Sequence, residues 1–208
     1  MTLPLDQDQL ARAARALSRR EPALREVVRR YGLPPLWGRE PGYATLVYII
    51  LEQQVSLASA KAAYERLQRA CRGRVTPRAV LRLTDGEMLA IGFSRQKAGY
   101  ARGLAEALLS RQLDLDQVAR MPDDEAQAAL VAQKGIGPWT AGIYLLMALR
   151  RPDVWPYGDL ALAISAQAVL GLPKRPTYDA LRTLADAWRP HRATAARILW
   201  HAYLSRSG

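Results

Sequence analysis

A single cysteine, Cys71, rules out an internal disulfide, a cysteine-based zinc site and a cysteine-ligated iron–sulfur cluster. Two histidines, His191 and His201, do not make a metal-ligand cluster either. No apolar signal segment opens the sequence, and no run approaches the roughly 20 apolar residues of a membrane span, so a cytosolic protein is expected. There is also no internal repeat, no low-complexity tract and no convincing strand pattern. Acidic residues are scarce relative to basic ones.

Asp and Glu number 19 against 30 Lys and Arg, giving a net charge of +11 and a pI near 10.3. That balance points to a polyanionic partner, though basicity alone does not identify it, because an arginine-rich composition raises the pI of any protein. Arginine far outnumbers lysine, which suits planar phosphate recognition. Half of the 208 residues are hydrophobic, enough to bury a core in one domain or two small lobes.

The periodicities are helical throughout, so the fold class is all-α. Asp6–Arg20 and Pro22–Tyr31 form an N-terminal arm, stopped by Gly32 and Pro34-Pro35. Its Arg19-Arg20 and Arg29-Arg30 pairs suit a solvated face. Tyr43–Glu52 is an apolar run, and Ser56 heads a long amphipathic helix to about Cys71. Thr76–Leu83 is short; Thr84 and Glu87 form a capping box; Ser94 caps a helix to about Arg111. Another helix starts at Met121-Pro122-Asp123 and ends at Gln133. Two amphipathic helices, Pro176–Trp188 and Pro190–Leu204, close the chain.

The most informative stretch lies between them. Lys134-Gly135-Ile136-Gly137-Pro138 joins two helical patterns by a turn short enough for a hairpin, with the second helix running from about Trp139 to Leu149. Gly135 and Gly137 permit positive φ and close backbone approach, and Pro138 suits a first helical turn. Free N–H groups at that helix start make an anion site, and on a basic chain the expected anion is a phosphate. A Pro/aromatic loop, Pro152–Gly158, then delivers Asp159 to the head of Leu160–Leu170, with Gly171 just past its end. Asp159 serves as an N-cap there, and helix N–H groups favour a negatively charged side chain.

Leu130-x-x-x-Lys134-Gly135-Ile136-Gly137-Pro138-Trp139-Thr140-Ala141, followed by that loop and Asp159, resembles the helix-hairpin-helix DNA glycosylases, and within them the bacterial 3-methyladenine DNA glycosylase II branch. Ile50–Ser56, Gly92–Ala98, Arg151–Val154 and Trp188–Arg192 agree with the same family, so the match covers most of the chain from about Leu46. The resemblance implies two lobes, residues 1–45 with 150–208 and residues 46–149, with the hairpin at 125–149 and the cleft between the lobes. The N-terminal sheet domain of longer bacterial relatives, and the four-cysteine cluster of some others, have no counterpart in this sequence.

What the family does implies a role for each matched position. A base must be flipped out of the duplex, which takes a phosphate anchor, a wedge and an aromatic platform. Lys134, Gly135, Ile136 and Gly137 match the anchor, whose backbone carbonyls in the family also hold a monovalent cation (sodium or potassium). Gln54 matches the wedge, with Gln53 behind it, and Arg95 and Lys97 fall near the phosphate track. Trp200 and Trp139 match the platform for a cationic base, with Tyr144 and Tyr157, and then Tyr43 and Tyr48, as weaker candidates. Asp159 matches the carboxylate that stabilises an oxocarbenium-like sugar and directs water. Trp139 stands where bifunctional relatives carry a nucleophilic lysine, so no lyase step is expected. The partner implied is double-stranded DNA with damaged bases, bound by a nucleoid-associated monomer that uses no other cofactor. A non-catalytic DNA clamp, or a glycosylase for deaminated or oxidised purines, are the alternatives.

Overall fold

Side-chain caps mark most helix starts: Asp6, Ser56, Thr76, Thr84, Ser94, Asp114, Asp159 and Thr177 each accept a first-turn N–H. The computed structural model describes residues 4–206, and among these the regular elements are all helical. They are α1 (Gln7–Arg20), α2 (Pro22–Tyr31), α3 (Tyr43–Glu52), α4 (Leu57–Ala70), α5 (Pro77–Leu81), α6 (Asp85–Ile91) and α7 (Arg95–Leu109). After these come α8 (Leu115–Arg120), α9 (Asp123–Val131), α10 (Pro138–Ile143), α11 (Leu160–Leu170), α12 (Tyr178–Ala185) and α13 (Arg192–Arg206). Helix α8 is absent from the sequence reading; Asp114 caps it with two hydrogen bonds, at 2.9 and 3.1 Å. The second hairpin helix is also shorter than expected, because α10 gives way to a π-turn at Tyr144–Ala148. No described helix is long and apolar enough to cross a membrane.

The chain divides into two compact units, Arg39–Tyr144 and Met1–Gly38 with Leu145–Gly208. The changeovers therefore fall at 38/39 and 144/145 rather than at 45/46 and 149/150. One reason is visible at the edge of the first unit: Tyr144 Oη accepts the Gly42 N–H at 3.0 Å, tying the approach to α3 and the end of α10 together.

In Arg39–Tyr144, α3 is buried along nearly its whole length and packs on α4, α7 and α10. Burial on all sides explains its unbroken apolar sequence. Its last residue, Glu52, is buried and accepts two hydrogen bonds from the Arg39 guanidinium, at 2.6 and 2.9 Å. Lys97 Nζ donates to the carbonyls of Leu51 and Gln53, at 2.8 and 2.6 Å, closing the carboxyl end of α3. Cys71, at the end of α4, is buried, and burial pushes its thiol up from the ordinary cysteine range.

In the other unit, α13 runs through the core and packs on α11, α2 and α1. The sequence suggests an amphipathic closing helix, but every residue from Ala193 to Trp200 is buried. Small alanines let neighbouring helices approach it on all sides. Its one charged interior residue, Arg197, is fully buried. Arg197 Nε donates to Leu36 O at 2.8 Å, Nη1 to Ala193 O at 3.0 Å and Nη2 to Leu146 O at 2.8 Å. Burial pulls its pKa down to about 10, still far enough above neutrality for the guanidinium to keep its charge.

Lysine cannot reproduce that three-way geometry. Arg197→Lys is expected to lower the unfolding free energy by about 2–4 kcal/mol in urea titration, because buried carbonyls lose charged donors. A variant as stable as the wild type would show that the three carbonyls do not depend on the guanidinium.

Candidate active site and nucleic-acid interface

The hairpin lies wholly within Arg39–Tyr144. Helix α9 ends at Val131, and the Ile136 N–H closes the turn on Gln133 O at 3.0 Å. The Ile136 side chain is buried and pins the turn to the unit. Gly135 has φ 90, and a Cβ there would stand 2.1 Å from Tyr100 Cγ, so both conformation and space demand glycine. Gly137 is different. Its φ is −87, an ordinary value, and a Cβ would meet nothing in the chain within 4 Å. Gly137 permits a positive φ but does not use it, and what its missing side chain leaves is open space in front of α10. No side chain caps the start of α10. A recess of about 490 Å³ runs along this turn, lined by Gln53, Tyr100 and residues 131–137.

Gln53 is not available as a wedge. Its Nε2 donates to Gly135 O and Thr140 Oγ1, both at 2.9 Å, bracing the turn from behind. Gln54 is exposed with φ 57, and Val55 and Leu57 beside it are also exposed. Arg95 and Lys134 are exposed as well. Lys97 is not on a phosphate track, because its ammonium is held by the two α3 carbonyls; burial lowers its pKa. Among the aromatic candidates, Trp139 is half-buried on the first turn of α10. Tyr144 is fully buried with its hydroxyl on Gly42, so it belongs to the core. Tyr43 is likewise buried, donating to Ala101 O at 2.9 Å, and Tyr48 stacks on Tyr64 with centroids 4.5 Å apart.

Asp159 lies in the other unit, at the end of a loop anchored residue by residue. Asp153 pairs with Arg189 at 2.9 Å and Arg192 at 3.1 Å; Pro152 O takes the Ala193 N–H; Trp155 packs on Trp188 with centroids 5.7 Å apart. Gly158, at φ 90, then turns the chain into α11. Asp159 Oδ1 accepts the Leu162 N–H at 2.8 Å and Trp200 Nε1–H at 3.2 Å. The carboxylate is thus an N-cap held by a second donor. Trp200, expected as a stacking platform, is buried, and its ring holds Asp159 in place. Tyr157 points elsewhere: its hydroxyl bonds Asp179 at 3.2 Å, Arg182 lies over its ring, and Tyr178 packs on its edge.

The sequence reading passes over Trp37 and Arg197. Trp37 has its ring centroid 6.4 Å from those of both Trp200 and His201. Its only local signal is a tryptophan within a Pro/Gly loop. For Arg197 the signal is an arginine flanked by Ala195-Ala196 and Ile198-Leu199, a charge at an all-apolar place.

Residues 47–190 match the HhH-GPD superfamily of base excision DNA repair proteins. The chain belongs to that superfamily. DNA-3-methyladenine glycosylase 1 of Schizosaccharomyces pombe is 30% identical over 165 residues, 78% of this chain and 72% of the relative. A Bacillus subtilis DNA-3-methyladenine glycosylase is 29% identical over 121 residues, 58% of this chain and 40% of the relative. Another relative from the same organism is matched over 58% of its length, so the chain spans about half of these Bacillus proteins. Among solved structures, the S. pombe 3-methyladenine DNA glycosylase in complex with abasic DNA has a TM-score of 0.80 at 27% identity, covering 91% of this chain and 95% of that one. DNA-3-methyladenine glycosidase of Bacillus halodurans has a TM-score of 0.78 at 27% identity, covering 94% and 90%. The superfamily match includes both the hairpin and Asp159.

The two glycines separate folding from binding. Gly135→Ala is expected to destabilise Arg39–Tyr144 by about 2–4 kcal/mol, adding left-handed strain to overpacking. Gly137→Ala should change stability by less than about 0.5 kcal/mol while weakening duplex DNA affinity several-fold. Full DNA affinity in Gly137→Ala would remove the turn from the interface.

Proposed function

We propose that this protein is a monofunctional DNA glycosylase that excises N-alkylated purines from double-stranded DNA, leaving an abasic site and an intact strand. The observation that carries the proposal is Asp159, whose carboxylate is fixed by the Leu162 N–H and the Trp200 indole. Supporting it are a glycine-backed hairpin, a strongly basic composition and the names of the relatives.

A purine alkylated at N3 or N7 carries a positive charge and leaves as a neutral base, taking the electron pair of the glycosidic bond. The sugar is left oxocarbenium-like, and one negative charge held near it supplies much of the stabilisation required. Water then adds at the anomeric carbon and gives up a proton, for which Asp159 is the acceptor. Preorganisation matters here: a carboxylate held by two donors does not have to reorient as charge develops. The open backbone at Gly137 and the start of α10 would take the DNA phosphates, and exposed Gln54 would enter the gap left by the flipped nucleotide.

A monovalent ion at the turn would be held by carbonyls and would add positive charge beside a phosphate. Gly135 O is already engaged by Gln53, and Gly137 O by the Ala141 N–H. The carbonyls of Lys134 and Ile136, which take no donor among the described hydrogen bonds, are the ones that would hold it.

Asp159→Asn preserves the cap and removes the charge. It is expected to abolish release of 3-methyladenine while retaining abasic-DNA affinity and thermal stability. Near-normal base release would end the assignment. Undetectable excision by the wild type, across alkylated, deaminated and oxidised purines, would favour a plain DNA clamp.

The lysines argue for hydrolysis alone. Trp139 holds the position of a lyase nucleophile, Lys97 is tied to two carbonyls, and Lys134 precedes the turn. Borohydride added during turnover should therefore trap no protein–DNA adduct, and strand cleavage should appear only after alkali or heat. A stoichiometric adduct lost on Lys134→Ala would overturn this.

A further inference from the structure

Residues 66–84 contain six arginines and no acidic residue. Arg66 is committed within the fold, its Nε donating to Ile91 O at 2.8 Å. The other five, Arg69, Arg72, Arg74, Arg78 and Arg82, are exposed, and none makes an ion pair among the described residues. The carboxylates at the borders are occupied elsewhere. Glu65 faces Lys61 at 3.9 Å, Asp85 pairs with Arg102 at 2.9 Å, and Glu87 closes the capping box with Thr84. Helices α1 and α2 are also rich in arginine, but there Asp8, Glu21 and Glu26 are interspersed, and Glu26 pairs with Arg29.

The fold brings the five to one corner of Arg39–Tyr144, formed by the end of α4, a tight turn and α5. The Gly73 N–H bonds Gln68 O at 2.7 Å and the Arg74 N–H bonds Cys71 O at 3.3 Å, while Cys71 and Val75 are buried beneath the turn. Arg72 and Gly73 make the bend with φ of 55 and 88. Arg78 and Arg82 stand four residues apart and share a helix face. Like charges at that spacing repel, and no carboxylate offsets them, so an anion seated there removes a cost that the free protein carries.

This corner is separate from the hairpin. Helix α4 starts beside Gln54, and its 14 residues place Arg69 and the turn about 21 Å further along. Between the two ends its exposed side carries the Lys61 and Glu65 pair, so the basic surface is not continuous from one to the other. We propose that the arginine corner is a second DNA-binding surface, which holds the phosphates of an undamaged duplex segment while the hairpin side engages another. Guanidinium groups suit phosphate oxygens, and contacts to the backbone alone carry no base preference. A protein with two such surfaces can pass from one segment to the next without leaving DNA. The proposal goes beyond base excision and requires neither Asp159 nor any particular lesion.

The test loads the protein on an immobilised abasic duplex and measures capture of a labelled undamaged duplex across a salt series. The wild type is compared with Arg72→Gln, Arg74→Gln, Arg78→Gln and Arg82→Gln combined. The wild type should capture the second duplex, and the fourfold variant should lose at least about tenfold of that capture, with the slope of log affinity against log salt smaller by about 3 to 4. Affinity for the abasic duplex and base release from a short duplex should not move. Arg78→Gln with Arg82→Gln, both on α5, should give about half of the change in slope and decides the matter should the fourfold variant fail to fold. No capture by the wild type, or equal capture by wild type and variant, would overturn the inference. If the wild type captures nothing and the variant is weakened only on long abasic duplexes, the arginines lie along the flank of one bound duplex, and the second-segment reading is lost. If neither changes, the corner serves an anion other than DNA. A wild type that fails to bind abasic DNA would instead count against the hairpin interface, and direct binding of the undamaged duplex would still score the arginines on their own.

Discussion

A guanidinium buried without a carboxylate partner among its hydrogen bonds is the constraint around which Met1–Gly38 and Leu145–Gly208 are built. Taking a charge out of water costs several kcal/mol, and Arg197 offsets that only by collecting three carbonyl dipoles. Each comes from a different piece of chain: Leu36 before Trp37, Leu146 in the π-turn, and Ala193 on α13 itself. Any displacement of one piece leaves a buried donor or acceptor unmatched, so the three are fixed together. One helical turn further along α13 is Trp200, whose indole fixes Asp159. The electrostatic problem of one arginine and the placement of the carboxylate are thus solved on the same helix.

The other unit has its own version of this economy in Gln53. The main-chain carbonyl of that residue takes Lys97, and its amide braces Gly135 and Thr140. The corner after α3 and the hairpin turn are therefore one rigid frame. Gln54, which follows, has φ 57 and is exposed beside that frame. The wedge role proposed for Gln54 would call for such footing, since a side chain that enters a duplex has to be held in place by its support.

Much of this was legible in the sequence because it depends on local rules. The capping residues Asp6, Ser56, Thr84, Ser94 and Asp159 name their helix starts through side-chain chemistry, and Gly135 names the left-handed turn. What escaped depends on distant pieces of chain. Periodicity does not tell that Tyr144 points inward to Gly42, that Lys97 closes α3, or that Trp200 turns its N–H toward Asp159. Ala193–Trp200 misleads for a related reason: alanine is neutral in a pattern, so a core helix rich in it looks half-polar once arginine is counted. Gly137 shows the converse limit. A glycine permits positive φ without requiring it, and here the φ is ordinary and only the space in front of it is unusual.

The solitary thiol acquires a use from its location. Cys71 is buried at the end of α4 and burial raises its pKa from the ordinary cysteine range, which makes it a poor nucleophile while Arg39–Tyr144 stays shut. Any disulfide reagent that reacts with the protein must wait for that unit to open. Since the other unit has no cysteine, the labelling rate is a clock for one half of the molecule alone, built in without mutation. Run with and without duplex DNA, that clock would report how far occupancy of the hairpin locks the unit that carries it.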